Sequence, residues 1–571
     1  MSESLSSLEN KREQLYRQLQ ETGDFRRGTI SVVFSKCGKK NCACAKEGHP
    51  GHGPRYLWNA TIGGKSYAKN LSIGPEMAKY QDETSTYKNF LMLCEQIIMI
   101  NEQICEMRPV QAIEDENELA ALKKKIAADV HGEVEKEIGR IVNHYVKERA
   151  ADGTFDLESF EMSIRSSMHT IGANMLGTLI NSDDGYRGVT TSHDEGHTAH
   201  FVDYREKKLL TVLGEVRVKR AYYHDKECHS GFCPKDEALD IVATSYSPGV
   251  RRLMSKVGAM RPFDRGHEDL YELANIRVNA KEVERVSEMV GGQVEAFHCG
   301  QAEAALSGKV IPIKAIPRLY VSMDGTGVPV AKRETVDRRG KDGGQAKTRE
   351  AKLGCIFTQT TIDKEGRPIR DEQSTSYIGA IETADEFASR LYKEAKRREI
   401  DSVAEVCVIG DGALWIWNIA DEQFHGACQV VDLYHAREHY WAVAKACFKN
   451  KEEQNQWAEE RRLELNNGDV ERVIKAIEAL SALPGYDREQ CEREIGYFEK
   501  NKERMRYADF KKRGLFVGSG VMEAGCRTVV GQRLKQSGMH WSVSGANNII
   551  ALRCSQLSNR WEDFWEYRAA A

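Results

Sequence analysis

No run of 18 apolar residues occurs in the 571-residue chain, and about that many are needed for a helix to cross a membrane. The nearest approach, Phe90 to Ile100, is interrupted by Glu95 and Gln96, so no membrane span is expected. Met1-Ser2-Glu3-Ser4 lacks the basic and apolar segments of a secretory signal, which points to a protein that is not exported. The 47 glycines follow no fixed period, which excludes collagen-like and fibrous classes. No internal repeat or low-complexity tract is present. Neither sign of charge dominates: 82 basic and 86 acidic residues leave 82 − 86 = −4. That balance leaves nucleic acid open as a partner, because a near-neutral chain can carry local basic stripes. What is there is ordinary globular composition, 41% hydrophobic and 29% charged. At about 150 residues per domain the length predicts roughly three to five domains. The 15 cysteines sit mostly singly in apolar runs (Cys94, Cys105, Cys355, Cys407, Cys447), the pattern of reduced core thiols in a cytosolic protein.

The predicted organisation is multidomain α+β. Residues 1–110 read as a helical hairpin: Leu5, Leu8, Leu15 and Leu19 share a helix face, and Met77 to Met107 is a second helix. A Gly-rich, basic, β-like insert, Arg26 to Ile73, lies between them. Residues 111–190 are helical, with Lys123-Lys124-Lys125 on a solvated face. Residues 191–240 hold a β-hairpin, with Leu209 to Leu213, a turn near Gly214-Glu215, and Val216 to Arg220. Within 241–300, Phe263 to Leu273 and Ala280 to Val290 flank a short connection. That is helix-turn-helix spacing, although two ordinary packed helices would read the same. Residues 315–567 change to an α/β pattern. Strands at Leu319–Met323, Leu353–Thr361 and after the Asp363–Gly366 turn are followed by a helix, Thr383–Arg398. Strands at Val406–Gly410 and Cys428–Val431 follow, then helices over about 435–508. The order β-β-β-α-β-α-β followed by helices is the plan of an RNase H-like catalytic domain with a helical insertion.

Two of these strands end alike. Asp324 follows Val321-Ser322-Met323 and precedes Gly325; Asp411 follows Val408-Ile409-Gly410 and precedes Gly412. One Asp-Gly pair is readily a turn. Two, on strands that should be neighbours, place carboxylates that repel unless a hard cation such as Mg²⁺ lies between them. The third carboxylate predicted is Glu523, after the flexible Gly518-Ser519-Gly520; the other reading is a capping glutamate at a helix start. Glu523, Arg527, Val530 and Leu534 are spaced for one helical face. Residues 500–540 carry ten Lys or Arg against three acids, 10 − 3 = +7, a patch suited to a phosphate backbone.

These strings carry a resemblance. Asp324, Asp411 and Glu523, separated by 411 − 324 = 87 and 523 − 411 = 112 residues, resemble the DDE triad of insertion-sequence transposases. Asp324-Gly325-Thr326-Gly327-Val328-Pro329, Gly410-Asp411-Gly412-Ala413 and Gly518 to Trp541 are similar to the ISKra-type family of the Mutator-like superfamily. Asp432-Leu433-Tyr434-His435 is similar to the Asp-x-x-His motif of those enzymes. The resemblance covers roughly 200–567. It implies two Mg²⁺ (or Mn²⁺) ions held by the triad, cleavage of transposon ends and strand transfer into target DNA. It also implies a homo-oligomer on double-stranded DNA, no membrane, and a cytoplasmic, nucleoid-associated place in a prokaryote. His435 would orient a phosphate or water, or be only a helix-start histidine. DNA contacts are expected from Lys281 and Arg285, near Asn279 and Glu282, and from Arg527, Arg533 and Lys535. A hydrolytic RNase H-like nuclease and a catalytically silent DNA-binding descendant are the alternatives.

Cys37, Cys42 and Cys44 are followed by His49 and His52. Three thiols and an imidazole suit tetrahedral Zn²⁺, and the spacing is not that of a standard finger. The segment resembles a small N-terminal module of some mobile-element proteins, which favours His52 as fourth ligand and leaves His49 spare. Lys39, Lys40 and Lys46 suit a knuckle facing nucleic acid. The ISKra-type resemblance further implies a zinc ribbon around the hairpin. Here the matching places hold Ser192, Glu195, Asp225 and Cys228, so the ribbon is degenerate. His193, His197, His200 and Cys228 form an alternative ligand set.

Overall fold

The structure, a computed structural model, describes residues 5–39, 41–62, 65–107, 116–152, 156–192, 197–307, 316–340 and 343–570. It is mixed α+β and divides into two compact units, Met1–Lys125 and Ile126–Ala571.

In the first unit α1 (Leu5–Gln20) packs along α2 (Pro75–Met107), where Arg12 donates to Asn101 Oδ1 at 3.1 Å. Between them β1 (Thr29–Ser35), β2 (His52–Ile62) and β3 (Lys65–Leu71) form an antiparallel sheet in that order. Its core is small: Trp58, Ala60, Leu71 and Tyr80. Arg26 bonds the insert to α2, its Nε 2.6 Å from Glu83 and its guanidinium 4.1 Å from the Tyr80 ring.

The unit boundary falls inside α3 (Glu116–Asp152), which is followed by α4 (Leu157–Ile180). Next come β4 (Thr190–Ser192), β5 (Thr198–Thr211), β6 (Gly214–Asp225) and β7 (Gly231–Phe232), one sheet in sequence order. The hairpin turns on Val212 and Leu213, not on Gly214-Glu215; Gly214, paired with Thr211, opens the return strand at φ 129°. A backbone at that angle suits glycine alone.

Four helices follow: α5 (Pro234–Ala238), α6 (Pro248–Met260), α7 (Phe263–Ala274) and α8 (Ala280–Ser307). The last three pack pairwise. Asn279 and Glu282 cap α8 reciprocally, each side chain accepting the other's backbone N–H at 2.9 Å. The helix runs well past the expected Val290 end. Its apolar stripe, Val283, Val286, Val290, Val294 and Phe297, continues beyond that point and is buried.

The remaining strands are β8 (Ile316–Pro329), β9 (Thr348–Gln359), the short pair β10 (Thr361–Ile362) and β11 (Pro368–Ile369), and β12 (Ser376–Ala380). Then come α9 (Ala384–Arg397), β13 (Val403–Gly410), α10 (Leu414–Gln423) and β14 (Cys428–Val431). Five strands join in the order β12-β9-β8-β13-β14, antiparallel among the first three and parallel from β8 to β14. Thr383 caps α9 with a full capping box to Glu386. Helices α11 (Leu433–Cys447), α12 (Lys451–Asn466), α13 (Val470–Ser481), α14 (Arg488–Asn501) and α15 (Tyr507–Lys512) follow the last strand. The chain closes with α16 (Gly520–Gly525), a π-helical turn at Cys526–Gly531, α17 (Gln532–Leu534), α18 (Val543–Leu557) and α19 (Trp561–Ala570).

The sheet has two covered faces. A Cβ on Gly354 would meet Leu391 and Phe387 of α9, and one on Gly410 would meet Ile416 of α10. The neighbouring residue Leu353 points the other way, to Gly525 at the end of α16. One expectation changes here. Asp324 does not leave its strand, because β8 keeps its pairing with β9 out to Pro329↔Thr348. What ends near Asp324 is the pairing with β13, whose last rung is Ser322↔Ile409.

Candidate metal and nucleic-acid site

Continuing the Ser322↔Ile409 register by two residues sets Asp324 beside Asp411. Parallel strands lie about 4.8 Å apart, so the two carboxylates start from adjacent backbones. Asp324 lies opposite Leu353, whose side chain faces α16, so it projects to that face of the sheet. Its Oδ2 accepts from Cys526 Sγ at 3.2 Å and its Oδ1 from Gly325 N–H at 2.7 Å. Burial pushes the Asp324 carboxyl above the usual range; those two donors oppose the shift, and the Asp411 charge adds to it. Asp411 Oδ1 braces the turn by accepting Ala413 N–H at 2.9 Å.

A third aspartate sits next in line. The last rung between β13 and β14 is Gly410↔Val431, so Asp432 stands beside Asp411. Asp432 is buried and saturated with donors. Its Oδ1 takes the N–H groups of Tyr434 (2.6 Å) and His435 (2.9 Å), capping α11. Its Oδ2 takes the N–H of Ser519 at 2.5 Å and the Ser519 hydroxyl. The sequence places Asp432 at the head of the Asp-x-x-His string without implying a task for it. The structure makes it the tie between the sheet edge and the start of α16.

Glu523 lies on α16 one turn before Cys526, exposed, with no hydrogen bond or ion pair to either aspartate among the described residues. The expected common face of Glu523, Arg527, Val530 and Leu534 does not form. Val530 and Leu534 are buried while Glu523 and Arg527 are exposed, because the π turn adds a residue and shifts the periodicity.

The helical insertion reaches the site through aromatic groups. Tyr497 of α14 donates its hydroxyl to the Asp411 carbonyl at 2.8 Å. His439 stacks on the Tyr497 ring, centroids 3.5 Å apart, and its Nδ1 lies 2.5 Å from the buried carboxylate of Glu494. His435 packs edge-on to His439 at 5.0 Å and its Nδ1 lies 3.3 Å from Glu438. Tyr497, His439 and Glu494 carry no sequence signal, being distant in the chain and ordinary in helices.

Of the basic residues expected to contact DNA, Arg533 is corrected. It is fully buried, donating to the Gly258 carbonyl at 2.8 Å with its guanidinium over Phe263 and Trp541. Others in the 500–540 stretch are spent internally: Arg506 on Glu471 and Glu503, Arg513 on Glu405, Lys502 on Glu499. Arg527 and Lys535 are exposed, and Lys535 Nζ reaches Thr326 Oγ1 at 2.5 Å, two residues beyond Asp324 on β8. Lys281 is exposed and 3.0 Å from Glu284, and Arg285 is exposed on the next turn of α8.

A second cluster forms in the first unit. Cys37, Cys42, Cys44 and His52 each place a donor atom within 4.8 Å of the others. In the ribbon-like sheet the gathered set is His197, Asp225 and Cys228. His200 lies outside it, across from His224, and His193 and Glu195 fall outside the described residues. Asp225 there is buried and braces its own loop, accepting Glu227 N–H at 2.8 Å. Glu405, Cys407 and Cys428 also lie together, but Glu405 is taken by Arg318 and Arg513. A cavity of about 410 Å³ between α8, β12, α9 and α18 is lined by charges already paired, Arg390 with Glu382 and Glu295, Glu394 with Arg397.

Residues 5–76 match a family described as a domain of unknown function (DUF6788). Two UPF0236 proteins of Caldanaerobacter subterraneus subsp. tengcongensis are each 24% identical to the chain over 368 residues, 61% of its length. Those alignments span 67% and 63% of the relatives' own lengths. A Drosophila P element transposase strand transfer complex aligns in structure over 55% of this chain and 79% of that one, at 10% identity and a TM-score of 0.20. No helix among the described residues is long and apolar enough to cross a membrane.

Proposed function

We propose that this chain is a DDE-type DNA transposase with an RNase H-like catalytic domain, acting on double-stranded DNA as more than one copy. The observation that carries the reading is the register of the parallel strands β8 and β13, which, continued by two residues, sets Asp324 beside Asp411, with Asp324 on the face of the sheet that α16 covers. The donors fit a hard divalent cation: carboxylate oxygens, of which those of Asp324 are raised by burial and by Asp411 and matched by no nearby ion pair among the described residues. Asp324, Asp411 and Glu523 would hold it. Bound there, Mg²⁺ or Mn²⁺ supplies charge for the attacking and leaving oxygens of an in-line phosphoryl transfer. The protein's own part is positional. Lys535, exposed and bonded to Thr326 two residues beyond Asp324, and the exposed Arg527 would bind the phosphate backbone. Asp432 holds Ser519, just before α16, so the helix that carries Glu523 starts from a fixed point at the sheet edge. His435 offers a ring at the rim to orient a phosphate or a water.

The test uses the purified full chain, Mg²⁺ and a labelled DNA end taken from the flank of its coding region. Joining of that end to a target plasmid is expected. Asp324→Ala, Asp411→Ala and Glu523→Ala should each lower cleavage by at least about 100-fold with DNA binding retained. Cutting without joining would replace the reading with a hydrolytic nuclease, and binding with neither would leave a silent DNA-binding protein. Near-normal cleavage by folded Glu523→Ala would remove that residue from the triad.

A further inference from the structure

The connection between β1 and β2 is 16 residues long, 36–51, and its described residues contribute nothing to the small apolar core of its sheet. Among them the only regular element is a one-turn helix, Ala43–Ala45. Yet it is folded tightly enough to bury Cys44. Around that thiol the donors converge in two pairs: Cys37 Sγ lies 3.5 Å from Cys44 Sγ, and Cys42 Sγ lies 3.0 Å from His52 Nε2. All four donor atoms lie within 4.8 Å of one another. A tetrahedron with Zn–S of about 2.3 Å and Zn–N of about 2.05 Å has edges of roughly 3.5–3.8 Å, and this cluster spans that range.

We infer that Cys37, Cys42, Cys44 and His52 form a structural Zn²⁺ site that closes the loop end of the β1–β2 hairpin. Three further observations fit. His52 is the first residue of β2 and pairs in register with Ser35, so the ligand is fixed by the sheet and not by the loop. Backbone N–H groups are directed at the sulfurs, that of Cys37 to Cys44 Sγ at 3.4 Å and that of Lys39 to Cys37 Sγ, the environment of metal-bound thiolates. The spare imidazole is accounted for, since His49 Nδ1 accepts Gly51 N–H at 3.0 Å and braces the loop. A Cys37–Cys44 disulfide would leave Cys42 and His52 converging on nothing. Four protein donors close the shell and leave no place for a substrate or a reactive water, so the metal is structural and not catalytic. It replaces the apolar core that this loop lacks.

The experiment uses the full chain purified without chelator. Metal analysis should find about one zinc per chain. Cobalt exchanged into the site should show the intense visible absorption of a tetrahedral centre with a thiolate charge-transfer band. Cys42→Ser and His52→Ala should lose the metal, while Cys228→Ser, in the other cluster, should keep it. His52→Cys guards against simple misfolding: it should retain zinc and shift the cobalt spectrum toward an all-sulfur shell. Absence of zinc together with no stoichiometric uptake of zinc or cobalt overturns the site. So does full retention of zinc by the Cys42→Ser, His52→Ala double variant.

Discussion

The Tyr497 hydroxyl donates to the Asp411 carbonyl at 2.8 Å, and its ring occupies the space a Cβ on Gly412 would need. Gly412 has φ 103°, so the turn that aims Asp411 is both glycine-dependent and pressed from outside. His439 stacks on the far side of the ring, held by Glu494. Tyr497→Phe keeps the stack and removes one hydrogen bond, leaving a carbonyl unpaired at a cost of about 1–2 kcal/mol. The expected result is a several-fold rise in the Mg²⁺ concentration for half-maximal cleavage, with the KM for DNA unchanged. A metal titration reads this directly, and an unmoved midpoint would show that Tyr497 only packs. Asp411 itself is legible in the sequence because an aspartate at the end of an apolar strand is costly to explain by packing. Tyr497 is not, because the contact spans 86 residues and leaves no local pattern.

Among elements, the π turn after α16 has the widest effect. Its opened backbone leaves the carbonyls of Thr528 and Val529 to Arg553, which binds both and also the Ala259 carbonyl at the end of α6. Arg533 reaches the neighbouring Gly258 carbonyl. Two buried arginines thus fasten the glutamate-bearing segment to α6, and burial pushes the Arg533 pKa down to about 10. Arg533→Met should lower stability by about 1–3 kcal/mol, seen as a lower thermal midpoint, with DNA affinity in the folded protein unaltered. A weakened affinity at unchanged stability would return Arg533 to the DNA-facing set. Strands β8, β9, β13 and β14, helix α9 and the start of α8 could be read from the sequence, because local spacing decides them; the strand expected after the Asp363–Gly366 turn is instead part of the short pair β10–β11, and the third strand of the main sheet is β12. The helix face through Glu523 could not. One inserted residue breaks the i, i+4 rule, and nothing in Cys526 to Gly531 announces it. The +7 count over 500–540 has a related limit. Composition does not reveal that Arg506, Arg513 and Lys502 are paired with acids, Glu471, Glu405 and Glu499, that lie outside that stretch.

At the scale of the whole molecule, a net charge of −4 coexists with exposed basic side chains after α16, Arg527 and Lys535, the latter bonded to Thr326 on β8. Each phosphate neutralised changes the logarithmic salt dependence of affinity by about 0.9. Replacing both residues with alanine should make that slope shallower by about 1.8 and weaken binding across sequences, measured by titration at several salt concentrations. An unchanged slope would move the DNA path away from this face. The order of the elements also sets an order in time. β8 and β9 are close in sequence, whereas β13 meets β8 only across the intervening crossover and is made later. Glu523 arrives last, 523 − 411 = 112 residues behind Asp411, and α18, whose Ile549, Ile550 and Leu552 are wholly buried, follows it. At about 5–20 residues per second, synthesis of those 112 residues takes roughly 6–22 seconds. On the proposed reading, a ribosome carries two of the three carboxylates throughout that interval, and the nascent protein is unable to cut DNA until the segment bearing Glu523 has been made.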